Sequence, residues 1–351
     1  MRTISNQGTK NSARVAICDE SDLKRENANI NSDTPMGAML KYGSEGAKEF
    51  NKTFVLNPIH AKAHESGDIH IHDLDFLTMT MTCCQIDLTK LFTNGFQTGH
   101  GSVREPQDIK TYAALACIAI QSNQNDQHGG QSIPKFDFDL AVGVRKTYRR
   151  KYRENLTNIL ELEQINLNAK DILNEIYEQT KCEPKLYNDE IETHLIKYLP
   201  ANKAKHILNF VKTKSEQQTI RDTYQAMESL IHNLNTMHSR AGAQVPFSSI
   251  NYGTDTSHEG RLVVEQLLKA TIAGMGESET PIFPIQIFKV KEGINLNEND
   301  PNYDLFQLAL KTSAKRLFPN FSFLDASFNK QYYKENNPDT EIAYMGCRTR
   351  V

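Results

Sequence analysis

Six cysteines are spread over the 351 residues, at positions 18, 83, 84, 117, 182 and 347, and their spacing decides what sulfur chemistry is open to the chain. No Cys-x-x-Cys pair begins a zinc site, and six cysteines in so long a chain are too few for a disulfide scaffold. Cys347 stands between Gly346 and Arg348. A glycine lets the backbone turn tightly there and expose the thiol, which is what reactive sulfur requires. Taken alone, a cysteine is more often a small apolar core residue; the presence of Cys83 and Cys84 in polar, glycine-rich surroundings shifts the reading towards chemistry. Adjacent cysteines close only a strained ring with a distorted peptide, so one of Cys83 and Cys84 is expected to act with a distant partner.

The histidines offer a second possibility. Residues 69–76 alternate apolar and polar like a half-buried strand, which would put His70 and His72 on one face with Asp73 and Asp75 nearby. Two histidines on a strand with no third well-placed ligand favour a hydrogen-bonded core feature over a metal centre, so no metal is assigned. The glycine-rich stretch 94–101 lets a backbone approach phosphate but is not a phosphate-binding fingerprint. The basic run 146–153 reads either as a phosphate-attracting patch or as a solvated helix face. The polar stretch 123–131, held between apolar segments, is the kind of loop that carries binding residues.

The elements that must position these groups follow from patterning. Charged residues make up 24% and hydrophobic residues 38% of the chain, with a net charge of -3; this is an ordinary globular composition with no field to hold nucleic acid. No apolar run is long enough to span a membrane and no secretory leader is evident, so a cytoplasmic protein without membrane or direct nucleic-acid contact is expected. Residues 1–24 read as a flexible leader with at most a strand at 13–17. Thr34 and Pro35 cap and open a helix reaching about residue 56, and a second covers 58–65 before Gly67. A core helix is predicted at 109–122 and long amphipathic helices over about 146–234, broken at Cys182-Glu-Pro184 and at Leu199-Pro200. Strand patterns at 245–254 and 281–290 alternate with helices at 259–272 and 305–317, and an apolar run follows at 318–324. This order predicts an α/β fold with a largely parallel sheet whose strand ends carry the site.

Taken in order, several stretches resemble one family, the anaerobic, glycyl-radical (class III) ribonucleoside-triphosphate reductases. They are Glu26-Asn-Ala-Asn29, Ile71-His-Asp-Leu-Asp75, the Cys83 segment through Gly95-Phe96, the Gly129-Gly130 loop, Asn251-Tyr-Gly-Thr-Asp-Thr256, Ile282-Phe-Pro-Ile-Gln-Ile-Phe288, Asp300-Pro-Asn-Tyr-Asp304 and Met345-Gly-Cys-Arg348. The resemblance implies a ten-stranded α/β barrel of two five-stranded halves. This chain would supply the first half over residues 25–351, with additional long helices and a finger loop threading the centre. Cys347 matches the finger-loop radical cysteine and Cys83 its partner on the first strand, with Met345, Thr349, His72 and Asp73 lining the same pocket. Thr349 stands where the family often has serine, a change that keeps the hydroxyl. Cys84 is the lesser participant, because neighbouring side chains on a strand point to opposite faces.

The function so implied is reduction of ribonucleoside triphosphates to 2′-deoxyribonucleoside triphosphates by thiyl-radical chemistry, for DNA synthesis. Implied partners are nucleotide substrates, deoxynucleotide or ATP effectors, a second copy in a homodimer, the C-terminal half of the reductase, and a radical-SAM activase using S-adenosylmethionine and a 4Fe-4S cluster. Formate is the implied reductant. No cofactor is expected on this chain. The ATP cone, the zinc site and the glycyl-radical loop are expected to lie outside it, so that it turns over nothing by itself. Two alternatives remain: an inactive remnant or effector-binding and dimerisation module, and a different glycyl-radical enzyme.

Overall fold

The computed structural model describes residues 26–27, 30–31, 34–77, 83–166, 168–180, 189–239, 244–334, 337–345 and 349–350. The leader at 1–24, its strand at 13–17 and the break at 182–184 lie outside these residues. Helix α1 (Pro35–Phe50) opens as predicted: the Thr34 hydroxyl accepts from the Gly37 N–H and Pro35 occupies the first turn. A π-helical turn, Asn51–Val55, follows it. Helix α2 (Pro58–Ser66) is capped by the Asn57 side chain and ends at Gly67, whose φ of +82° is the left-handed conformation glycine adopts freely.

The strand predicted at 69–76 does not form. Residues 72–77 are consecutive turns, with φ of +52° at Asp73 and +49° at Leu77. Side chains supply the physical reason. Asn51 Nδ2 donates to the Leu74 carbonyl at 2.7 Å, and Ser44 Oγ donates to Asp75 Oδ2 at 2.7 Å. Asn51 thus takes up a carbonyl that a strand would offer to a neighbour, and Ser44 anchors the Asp75 side chain beside it.

Five strands make one sheet, all parallel and in sequence order: β1 (Cys84–Gln85), β2 (Gln131–Ile133), β3 (Ser248–Tyr252), β4 (Ile285–Val290) and β5 (Asn320–Phe323). Parallel neighbours need long crossovers, and helices provide them. Helix α3 (Leu88–Asn94) and α4 (Ile109–Asn123) lie between β1 and β2. Helices α5 (Phe136–Leu162), α6 (Ala169–Thr180), α7 (Asp189–Ile196) and α8 (Ala201–Thr236) separate β2 from β3. Helix α9 (His258–Ala273) links β3 to β4, and α10 (Tyr303–Arg316) links β4 to β5. The glycine-rich stretch 94–101 enters a small hairpin, Phe96–Gln97 against Ser102–Val103. A Cβ on Gly95 would lie 2.1 Å from the Val103 carbonyl oxygen, so only glycine permits that crossing. After β5 comes the short helix α11 (Ser327–Lys330), and then a hairpin of β6 (Tyr344–Met345) and β7 (Thr349–Arg350).

Period-two alternation gives the sheet two unlike faces. On one, Ile133, Ile250, Tyr252, Phe288 and Val290 join a core with Leu140, Leu230 and Leu267 from the surrounding helices. Ser132, Asn251, Lys289 and Ser322 fall on the other, and all four are at least 97% buried. A sheet apolar towards its helices and polar on the far face is built to receive a polar element there.

Helix α5 begins ten residues before the predicted boundary at 146, because Phe136, Leu140 and Val144 already bury a helical stripe in the core. Three cations of the basic run on this helix meet carboxylates, as does Arg145 just before it. Lys146 pairs with Glu105, Arg150 Nη1 meets Asp108 at 2.7 Å, Lys151 meets Glu154 at 3.3 Å and Arg145 meets Glu259 at 3.1 Å. Lys146, Arg150 and Arg145 strap α5 to its neighbours, while the Lys151–Glu154 pair lies within the helix. Among the described residues, no helix is long and apolar enough to cross a membrane.

Asp139, in the first turn of α5, is 2% exposed. Its Oδ1 accepts from the Thr89 hydroxyl at 2.5 Å and its Oδ2 has no hydrogen-bond partner. Burial pushes this carboxyl up to about 7 from an ordinary 3.8, opposed by Thr89 and Lys135. The native state therefore keeps a proton that the unfolded chain has lost, so stability falls as pH rises from about 4 to about 7 and then levels. Asp139→Asn should be more stable than the parent at pH 8, by roughly 1–3 kcal/mol, and equal to it near pH 4. Urea titrations at the two pH values check this; the same difference at both would refute it.

Candidate functional site

The polar face of the sheet holds the stem of the β6–β7 hairpin. Asn251, in the middle of β3, grips the backbone of Tyr344 from both sides: its Oδ1 accepts from the Tyr344 N–H at 2.9 Å, and its Nδ2 donates to the Tyr344 carbonyl at 3.0 Å. The same amide reaches Ser132 Oγ at 3.0 Å, and the Ser132 hydroxyl donates to the Tyr344 carbonyl at 2.6 Å. A lone β6 has no sheet partner besides β7, so these side chains do for Tyr344 what a ladder strand would do. The hairpin register pairs Tyr344 with Arg350 and Met345 with Thr349. The intervening Gly346, Cys347 and Arg348 lie outside the described residues. Met345 is half-buried on β6.

Cys83 and Cys84 separate by the same alternation. Cys84 pairs in register with Gln131 and packs against the helix-side core, its Sγ accepting from Asn123 Nδ2 at 3.1 Å. Gln85 pairs with Ser132, on the hairpin side, and Cys83 shares the parity of Gln85 along the strand. The pair thus divides between the two faces, with Cys83 on the side that receives the hairpin stem. Burial pushes the Cys84 thiol up, partly opposed by Asn123, while Cys117, in the core of α4, is pushed up to about 12.

His72 and Asp73 lie at the edge of this arrangement. Asp73 Oδ1 meets His72 Nδ1 at 2.7 Å and His128 Nε2 at 3.1 Å, and His128 stacks on Phe76 with ring centroids 4.3 Å apart. His128 belongs to the loop that enters β2, so Asp73 ties the 72–77 turns to the start of that strand. The His72 side chain is 81% exposed. Asp73 reaches this loop through His128, while His72 meets Asp73 and the ring of His70. No group of three histidine, cysteine or acidic side chains among the described residues converges as metal ligands.

Comparison with known proteins agrees with the geometry. The family described as "Anaerobic ribonucleoside-triphosphate reductase" matches residues 26–351. The chain belongs to that family. It is 31% identical over 339 residues to the anaerobic ribonucleoside-triphosphate reductase of Enterobacteria phage T4, covering 93% of this chain and 46% of the phage protein. Against the Escherichia coli K12 protein of the same description it is 30% identical, covering 85% of this chain and 35% of that one. The chain spans less than half the length of these relatives. Among solved structures, the anaerobic ribonucleotide reductase from Thermotoga maritima in complex with dATP and CTP matches with a TM-score of 0.51 at 11% identity, over 87% of this chain and 46% of that one. A second anaerobic ribonucleotide reductase matches at 0.53, over 93% and 46%. At such identity the likeness is one of fold.

Two buried charged residues beside the hairpin stem carry no local sequence signal. Lys289, near the carboxyl end of β4, is 1% exposed, and its Nζ meets Glu341 Oε2 at 2.8 Å, where the Glu341 side chain is 2% exposed. Lys291 reaches the other carboxylate oxygen at 3.4 Å, and the Thr254 hydroxyl donates to Oε2 at 2.8 Å. Burial alone would raise the Glu341 carboxyl; Lys289, Thr254 and Lys291 outweigh it and hold the group below the ordinary range. A lysine inside an apolar strand, answered by a glutamate 52 positions later, shows no periodicity that would reveal it.

The thiol environments give a direct test. At pH 8 the Cys117 thiolate fraction is about 10⁻⁴ for a group titrating near 12. Brief alkylation of the native chain with iodoacetamide, read by peptide mass spectrometry, should modify Cys83 first, Cys84 several-fold more slowly and Cys117 only after unfolding. Faster labelling of Cys84 than of Cys83 would reverse the assignment of faces.

Proposed function

We propose that this chain forms the finger-bearing catalytic part of an anaerobic ribonucleoside-triphosphate reductase. In this reading the five parallel strands are one half of a ten-stranded α/β barrel, and the polar face of the sheet looks into it. The observation that carries the reading is the clamp of Asn251 and Ser132 on Tyr344, which seats a cysteine-bearing hairpin on the face to which strand parity assigns Cys83.

Chemistry on a ribose needs two sulfurs in different roles. Cys347 takes the hydrogen from C3′ and returns it at the end. Cys83, on the other face of the ribose, serves protonation and reduction as the 2′-hydroxyl leaves. Enclosure supports both roles, because a sulfur that abstracts hydrogen must be held rigidly and away from water. Met345 and Thr349 flank the thiol-bearing turn, and His72 and Asp73 close the pocket from the 72–77 turns. The radical that starts the reaction is a glycyl radical, installed by a radical-SAM activase with S-adenosylmethionine and a 4Fe-4S cluster, and formate is the reductant. We assign the radical, and the zinc of the complete enzyme, to residues other than those described. The enzyme works in the cytoplasm as a homodimer, completed by the C-terminal half of the barrel.

Effector binding is placed in an open cavity of about 470 Å³ bounded by Thr98 and His100 of the small hairpin, Ile118, Gln121 and Asn125 of α4 and its following turn, and Ser239. Two observations support this in preference to the basic run of α5. Lys146, Arg150 and Lys151 of that run already meet carboxylates. Ser239 of the cavity wall, in contrast, donates to Gln124, whose Nε2 donates to the Val245 carbonyl on the approach to β3 at 3.2 Å. A ligand there would press on the segment that leads into the Asn251 strand.

In the complete reductase, Cys83→Ser and Cys347→Ser should each lower deoxynucleotide formation by at least about 10³-fold, with Cys84→Ser within about tenfold of the parent. Full turnover by Cys83→Ser would sink the two-sulfur reading. For the effector, a deoxynucleoside triphosphate at 100 times its Kd should stabilise the dimeric chain by about 2.7 kcal/mol, seen as a concentration-dependent rise in Tm. Replacing Gln121 and Asn125 by leucine should abolish that rise, and its persistence would move the effector elsewhere.

A further inference from the structure

The finger hairpin is held at two points, and only the first is the backbone clamp on Tyr344. The second is Glu341, three residues earlier. Its carboxylate meets side chains rooted at the carboxyl ends of two strands: Thr254 just after β3, and Lys289 and Lys291 at and beyond the end of β4. Lys289 also donates to the Pro134 carbonyl, just after β2, at 3.3 Å. One ion pair therefore gathers the ends of three adjacent strands. Between the two points, Ile342 and Ala343 are 7% and 1% exposed, so the stem is buried along its length. Ser132 and Asn251 lie further back along β2 and β3 than Pro134 and Thr254, which sets the direction of the stem: it runs from the carboxyl ends of the strands inward over the polar face.

We propose that the Glu341–Lys289 pair is a positioning latch, which fixes the depth at which the stem of the β6–β7 hairpin runs in over the polar face of the sheet and so positions the hairpin for the proposed reaction. The catalytic part of this statement rests on the function proposed above. A buried ion pair is a poor way to gain stability, because desolvating two charges offsets most of their attraction, and an apolar pair of equal volume does as well. What it supplies is a single register. A carboxylate removed from water has no second acceptable position, so the stem cannot slide by a residue without stranding a charge. Displacement by about 1 Å at a reacting atom can cost on the order of 100-fold in rate, so such a fixed register matters for a sulfur that must reach one carbon of a ribose. The turn after β3 braces the latch. Gly253, at φ +121°, leaves its N–H to Asp137 Oδ2 at 2.7 Å and its carbonyl to Asn295 Nδ2 at 2.9 Å and Asn302 Nδ2 at 3.2 Å, so the peptide beside Thr254 is fixed on both sides.

The test separates positioning from stability. Glu341→Gln removes the charge from the stem, and the double variant Glu341→Met with Lys289→Met replaces the pair by apolar groups of similar volume. Hydrogen exchange is measured on the intact chain over the peptide containing Tyr344, with the amides of β3 and β4 as the control for folding. The expected result is that exchange at Tyr344 rises at least tenfold in both variants while the β3 and β4 amides keep their protection, and that the double variant melts close to the parent. In the complete reductase, kcat should fall about 100-fold with KM for the nucleotide within threefold. Unchanged protection at Tyr344 in the double variant overturns the latch, even if the enzyme is active. A tenfold loss of protection with undiminished kcat overturns its role in the reaction. Exchange needs no turnover, so an absence of reductase activity in every preparation counts against the proposed function and leaves the latch to be judged on exchange alone.

Discussion

A parallel sheet with a polar face has no use for that face unless something satisfies it, and here the backbone of Tyr344 does so. Asn251 is the constraint on which the arrangement depends. A carboxamide has one donor end and one acceptor end, the complement of a single peptide's C=O and N–H, and Asn251 uses both on Tyr344 while its second donor direction reaches Ser132 and the Ile133 carbonyl. Aspartate would lack the donors, and leucine would leave the Tyr344 N–H without its acceptor and the Tyr344 carbonyl with Ser132 alone. Because the residue is fully buried, any loss there leaves polar atoms without water or partner, at a cost of about 1–3 kcal/mol each. The hairpin is thus tied to the middle of the sheet by groups that have nowhere else to go.

The opposite face explains why that grip is rigid. Tyr252 and Phe288 meet edge to face with centroids 5.8 Å apart, and the Tyr252 hydroxyl donates to Gln286, whose amide reaches Thr271 on α9 at 2.8 Å. Residues alternating along the same two strands therefore belong to two systems: one apolar and packed on helices, one polar and facing the hairpin. Moving β3 by one residue would exchange them, burying Asn251 in the core and turning Ile250 to the hairpin. The helix packing sets the register of the site without touching it.

What the sequence disclosed follows from how local each signal is. The helices at 35–50, 58–66, 109–123 and 258–273 were legible because caps and periodicity act within a few residues, as Thr34, Asn57, Asp108 and Ser257 show. The alternation of strands and helices was likewise enough for a parallel sheet. The 69–76 segment misled because a period of two is also what a series of turns can produce by chance, and the residues that decide the matter, Ser44 and Asn51, lie on another element. The partners of the basic run were likewise not legible, because Glu105 and Asp108 lie some forty residues away from Lys146 and Arg150. Lys289 and Glu341 were invisible because burial of a charge depends wholly on its partner, and no local pattern encodes that.

The family stretches divide once the contacts are known. Asn251-Tyr-Gly-Thr-Asp-Thr256 and Asp300-Pro-Asn-Tyr-Asp304 are distant in sequence but adjacent in space: Asn302 Nδ2 donates to the carbonyls of Gly253 and Asp255, its Oδ1 accepts from Arg261, and Arg261 continues to both oxygens of Asp304 at 2.8–2.9 Å. Within the first stretch only Asn251 and Thr254 reach the hairpin stem; Gly253 and Asp255 serve Asp137 and Asn302. A stretch can thus mark a family while most of its residues hold a turn and two hold the finger. The thiols obey the same logic. Cys83 and Cys84 are chemically identical, and what separates them is a strand parity fixed by the pairing of Gln85 with Ser132, the residue whose hydroxyl also holds Tyr344. One serine therefore connects the register of the first strand to the seat of the hairpin.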